Sequence, residues 1–146
     1  MGSRQVWVGE APVDGFSSPF AGAEFAVMVA AFRTAAAVDR VRLARSIVEQ
    51  GCRYAVCAGT DCDHWEDAFD TVAVERNPDG DASRLVMTTS HRDESLDEVA
   101  EFLFTCTFID DRVPERLVVL TVGGQSGDHE EVKEAVARVL ARYTPR

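Results

Sequence analysis

Two short runs concentrate the residue types that carry acid–base, nucleophilic or metal chemistry. The first is Cys57-Ala58-Gly59-Thr60-Asp61-Cys62-Asp63-His64-Trp65, and the second is Thr88-Thr89-Ser90-His91-Arg92-Asp93-Glu94. Together they hold two of the chain's three histidines, two of its four cysteines and four carboxylates. In the second run His91 follows three hydroxyl residues, with Asp93 and Glu94 close enough in sequence to orient its ring. That is the composition of a general base with its orienting partner and hydrogen-bonding neighbours. The candidate catalytic residues are therefore His91, Glu94 and Cys62. The candidate ligand-binding residues are Thr88, Thr89, Ser90, Asp61, His64 and Arg33.

Each candidate competes with a plainer reading. Cys62 falls in the first turn of an expected helix, where the dipole favours a thiolate. Asp61 and Asp63 flank it, and each influence is on the order of 1 kcal/mol, so the two roughly cancel. Cys57 ends a strand and reads as packing. Cys57, Cys62, His64 and His91 could form a tetrahedral zinc set, but their spacing lacks the two short ligand pairs of a structural finger. Asp61, Asp63, Asp93 and Glu94 could hold a hard cation through oxygens. A helix start explains the same acids without a ligand, so no metal is expected. The loop Gly123-Gly124-Gln125-Ser126-Gly127 opens a helix and could cradle an anion, yet the acids behind it oppose a phosphate and favour a plain turn. Arg33 is the one cation clearly expected on the ligand edge. His64 and His129 read as solvent-facing.

These residues need a frame, and the apolar pattern supplies one. Phe25 to Phe32 is a continuous apolar run, the mark of a strand buried on both faces. Further strands are expected at Arg53 to Ala58, Arg84 to Thr88 and Leu117 to Val122, with a short edge strand at Thr71 to Glu75. Thr34 is the expected cap of a helix that turns Val38, Val41, Ala44, Ile47 and Val48 to one face. A short acidic helix should run from Thr60 or Asp61 to about Phe69. Ser95 with Glu98, and Asp128 with Glu131, read as capping boxes. The helices behind them bury Leu96, Val99, Ala100, Leu103 and Phe104, and Val132, Ala135, Val136, Val139, Leu140 and Tyr143. Strand then helix, repeated, implies a three-layer αβα sandwich with a mostly parallel sheet of four or five strands, flavodoxin-like or Rossmann-like. Residues 1–23 read as an irregular arm with a short strand at Gln5 to Val8, and residues 24–146 as one domain. In such a sheet, loops that follow strands open on one edge, where ligands bind.

A chain of 146 residues fits one core. Its net charge of −10 repels nucleic acid and anionic membranes and suits a basic protein partner. The longest apolar run is strand-sized, so no membrane span is expected. Cys52, Cys57 and Cys106 sit in apolar patterns, as reduced cysteines do. With no signal-peptide core near Met1, a cytoplasmic location is expected. Two functions fit: a small-molecule site of hydrolase or transferase type, its cofactor unspecified because no nucleotide fingerprint is present, or an acidic interaction module of the immunity or antitoxin type.

The matching pieces Gly51-Cys52-Arg53-Tyr54-Ala55, Cys57, Gly59, Asp61-Cys62, Trp65 and Asp70, followed by Met87-Thr88-Thr89, His91 and Glu94-Ser95-Leu96, make the central segment resemble a family of small bacterial proteins of unknown function. In that family an aromatic residue precedes the histidine, whereas Ser90 stands there in this chain. The resemblance implies that the two polar runs belong together, and it implies no catalytic roles.

Overall fold

Burial of two long apolar strands organises the chain. In the computed structural model, which describes residues 4–12 and 15–143, β2 (Phe25–Ala31) and β5 (Arg116–Val122) lie side by side at the centre of one sheet. β3 (Cys52–Gly59) and then the short β4 (Met87–His91) extend it on one side, and β1 (Gln5–Ala11) closes the other, in the order β1-β5-β2-β3-β4. Every pairing is parallel. Helices α1 (Ala37–Glu49) and α2 (Cys62–Arg76) cover one face, and α3 (Leu96–Thr105) and α4 (Asp128–Tyr143) cover the other. The result is the expected three-layer α/β sandwich.

The layers follow from side-chain alternation. Val27, Val29, Ala55 and Cys57 pack with Leu43, Ile47, Trp65 and Phe69 on the α1–α2 face. Met28, Val56, Leu117 and Val119 pack with Val99, Leu103, Val132 and Val136 on the α3–α4 face. The sheet reverses its winding between β2 and β5: α1 leaves on one face and α4 on the other.

Several local expectations change. The arm of residues 1–23 contributes a full edge strand, β1, paired with β5 from Gln5↔Arg116 to Ala11↔Val122 rather than ending at Val8. Residues 1–3, 13, 14 and 144–146 of the expected arm and domain lie outside the described residues. The edge strand expected at Thr71 to Glu75 is the last part of α2, because Trp65, Phe69 and Val72 recur at helical spacing and bury together, leaving Val74 exposed. The strand expected at Arg84 to Thr88 starts at Met87; Ala82–Arg84 is a 3₁₀ turn capped by Asp81, whose Oδ1 accepts the Ser83 N–H at 3.0 Å. Thr34 caps nothing, since α1 begins behind Ala36, and Val38 faces solvent. The capping box of α3 is present, with Ser95 Oγ accepting from Glu98 N–H and Glu98 Oε1 from Ser95 N–H. The second box is absent: Asp128 lies inside α4 and its carboxylate accepts the Gln125 N–H at 2.7 Å.

At Gly59 the chain leaves β3 with φ +85°, and a Cβ there would lie 2.1 Å from the Ala31 carbonyl oxygen. That carbonyl accepts the Thr60 N–H at 2.8 Å, so the loop must pass close behind β2. Gly59→Ala should cost more than about 1 kcal/mol in urea unfolding. Gly80→Ala, also at positive φ (+68°) but in open space, should cost less; equal losses would contradict the steric account.

Candidate functional site

β4 is an edge strand, and its alternation sends the polar run to two faces. Parallel pairing with β3 sets Met87, Thr89 and His91 beside Tyr54, Val56 and Ala58, which belong to the α3–α4 face. Thr88 and Ser90 sit beside Ala55 and Cys57, on the α1–α2 face. The candidate residues thus divide into two groups separated by the strand itself.

On the α3 side, Asp93 adopts the left-handed conformation (φ 61°) between the end of β4 and the Ser95 cap of α3. This tight reversal carries Glu94 back over His91, whose Nδ1 lies 2.9 Å from Glu94 Oε2. His91 Nε2 lies 2.9 Å from Thr89 Oγ1. A carboxylate can only accept, so Nδ1 carries the proton and Nε2 is left to accept the Thr89 hydroxyl. The ring is 6% exposed and meets the edge of Phe102 with centroids 4.5 Å apart. His91, Glu94 and Thr89 therefore form one continuous hydrogen-bonded chain, and packing against Phe102 holds the imidazole in place.

On the α2 side the hydroxyls serve as struts. Thr88 Oγ1 donates to Asp70 Oδ1 at 2.7 Å, and Ser90 Oγ donates to Asp63 Oδ1 at 2.8 Å. The other oxygen of Asp63 takes the Arg92 guanidinium, so one carboxylate ties both polar runs together at the carboxyl edge of the sheet. A cavity of about 240 Å³ opens there between Gly59, Asp61, Cys62, Asp63, His64 and Arg92. Asp61 holds the N-cap position of α2 in the left-handed conformation (φ 57°) with no capping bond from its side chain, so the helix dipole alone favours its charge there. Cys62 is 4% exposed and packs into the α1–α2 core, away from His91. His64 is exposed on the same side as Cys62. Arg33, exposed beyond β2, lies with its stem against Gly123, at the winding reversal between β2 and β5.

The four-ligand zinc arrangement does not assemble, since Cys57 and Cys62 lie on one face of the sheet and His91 on the other. Among the described residues no group of three or more His, Cys, Asp or Glu side chains is placed to hold a metal ion. His129, expected to face solvent, bonds through Nδ1 to the hydroxyl of buried Thr121 at 2.8 Å. The separation of Thr121 and His129, along a strand end and into the next helix, carries no periodic signal that would join them in the sequence. Cys106, expected in an apolar pattern, is the exposed C-cap of α3.

A family model described as a domain of unknown function, DUF7684, matches residues 9–139. The chain belongs to the DUF7684 family. The match runs from within β1 to within α4 and includes both polar runs of this DUF7684 domain. No curated protein and no solved structure matches it. Among the described residues no helix is long and apolar enough to cross a membrane.

Burial holds the Cys52 and Cys57 thiols of the DUF7684 domain protonated. Burial pushes the Cys52 thiol up to about 12, against a weaker downward pull from the Tyr54 backbone and from Arg53. Burial, reinforced by Glu66 and neighbouring groups, pushes Cys57 well above its ordinary value. At pH 8 a disulfide reagent should therefore label Cys106 rapidly and the other three cysteines only on unfolding. Rapid labelling that survives Cys106→Ser would contradict this.

The same burial sets an alkaline limit. The unfolded chain ionises Cys52 near 9, whereas the folded chain resists ionisation until about 12. Folding stability should therefore fall as pH rises through that window. Cys52→Ala should flatten the decline, and an unchanged slope in urea titrations would refute the assignment.

Proposed function

We propose that this DUF7684 domain is a small-molecule acyl hydrolase or acyl transferase in which Thr89 is the nucleophile, His91 the general base and Glu94 the residue that orients it. The observation that carries the reading is the unbroken chain from Thr89 Oγ1 through the His91 ring to Glu94 Oε2, with 2.9 Å at both links. This is the arrangement that activates a hydroxyl: nucleophile on base, base on an orienting carboxylate. The half-buried Thr89 lies on the edge strand, accessible from the unpaired side of β4.

The chemistry balances with these groups alone. Thr89 Oγ1 attacks an ester carbonyl as its proton passes to His91 Nε2. Collapse of the tetrahedral intermediate breaks the ester C–O bond, and His91 returns the proton to the departing alkoxide. Water, deprotonated by His91, then cleaves the Thr89 acyl ester and restores the hydroxyl; an acceptor alcohol in place of water gives transfer. Glu94 stabilises the imidazolium formed in each half-reaction. Backbone N–H groups on the open edge of β4 are the donors available to the developing oxyanion.

Two further assignments accompany this reading. The order β4-β3-β2-β5 is that of a doubly wound, Rossmann-like half-sheet. Four free cysteines, three of them buried, suit a reducing cytoplasmic setting.

A series of p-nitrophenyl esters tests the proposal. Thr89→Ala should abolish turnover while Thr89→Ser retains it, and His91→Ala should lower kcat about 10²–10⁴-fold. The variants are to be assayed below their melting temperatures. Hydrolysis that survives both Thr89→Ala and His91→Ala would sink the relay. Function would then pass to the acidic surface, tested by salt-sensitive capture of a basic protein.

A further inference from the structure

Thr89 is not alone on its face of β4. Met87, the same-face neighbour one strand period away, has a half-exposed side chain and lines a separate cavity of about 410 Å³. Tyr54, Leu85, Phe108 and Ile109 are among its other wall residues, and the exposed Cys106 thiol also borders it. That volume lies within the range of small-ligand sites. Leu85, Met87 and Phe108 are each between 45% and 50% exposed, so the groove leaves a contiguous apolar surface in contact with water.

The groove lies beside the relay along β4. Met87 in its wall is the same-face neighbour of Thr89, so this end of the groove lies next to Thr89. Tyr54, also in the wall, meets the Phe102 ring with centroids 6.4 Å apart, and Phe102 stands between it and the His91 ring. Asp110 and Asp111, both in the left-handed conformation, also stand in the wall. Arg53, the cation in the wall, is already paired with Glu24 and Asp110. A carboxylate or phosphate would thus find Arg53 already neutralised and Asp111 adding a further acid, while a neutral apolar chain would lie against Tyr54, Leu85, Met87 and Phe108.

We infer that this groove is the acyl subsite of the candidate relay and takes a neutral, unbranched apolar acyl chain, its carbonyl at Thr89 and its tail toward Phe108. The inference rests on the Thr89 reading for its chemistry, and the groove can be tested apart from it.

Two measurements separate them. Across p-nitrophenyl esters from acetate to decanoate, kcat/KM should rise about fourfold for each methylene buried until the groove is filled. Met87→Ser and Phe108→Ser should flatten that rise. Octanamide, titrated into the full chain and followed by NMR, should shift resonances of Tyr54, Met87 and Phe108, and both variants should weaken its binding at least tenfold. Hydrolysis that needs Thr89 but ignores chain length would overturn the subsite and leave the relay standing. Octanamide binding that depends on Met87 and Phe108, in a protein that cleaves no ester, would uphold the groove as an apolar ligand site and remove the relay. Octanamide that fails to bind, or binds equally to both variants, overturns the inference.

Discussion

Successive side chains of a strand point to opposite faces of its sheet, and β4 is where that constraint decides what the protein can do. A polar run that looks like one cluster in the sequence is dealt alternately to two layers. Thr88 and Ser90 go to α2 and are spent on Asp70 and Asp63. Thr89 and His91 go to the α3 face, where Phe102 packs against the ring and Glu94 meets its far nitrogen. Moving the strand by one residue would exchange the two sets. The register of β4 on β3, from Tyr54↔Met87 to Ala58↔His91, is thus the condition on which the candidate chemistry depends.

The struts and the relay depend on one another. Asp63 and Asp70 hold β4 from below, and the α3 capping box fixes the helix onset just beyond Glu94. Between these anchors the left-handed Asp93 leaves Glu94 little freedom but to face His91. At the other end of the strand, buried Arg53 accepts no movement of the preceding segment, because its Nε donates to the Leu85 carbonyl at 2.7 Å. An edge strand that lacks a second neighbour is held instead by side chains from three elements.

What could be read in the sequence is what local pattern encodes. The continuous apolar runs of β2 and β5 announce strands buried on both faces, and the α3 cap is written in Ser95 and Glu98. The pair His91 and Glu94 is legible because the two lie three positions apart across a turn. Non-local pairings are not: nothing near Ser90 points to Asp63, or near Thr121 to His129. The start of β4 was obscured because Leu85 and Val86 extend the apolar run into a segment that Asp81 and Arg53 hold outside the strand. The end of α2 was obscured because Thr71 to Glu75 alternates with period two while Trp65, Phe69 and Val72 recur at helical spacing, and burial favours the longer period. β1 was underestimated because its seven residues hold Gly9 and Glu10, although a parallel partner along its whole length overrides their weak strand preference.

The central claim is that His91 and Glu94 activate the Thr89 hydroxyl. A fluorophosphonate probe reports this directly, because attack by an activated Oγ1 displaces fluoride and leaves a stable phosphonate ester on that residue. Peptide mapping by mass spectrometry should find a single adduct, on Thr89, that disappears in Thr89→Ala and forms far more slowly in His91→Ala. An unmodified protein, or an adduct on Thr88 or Ser90 instead, would contradict the account.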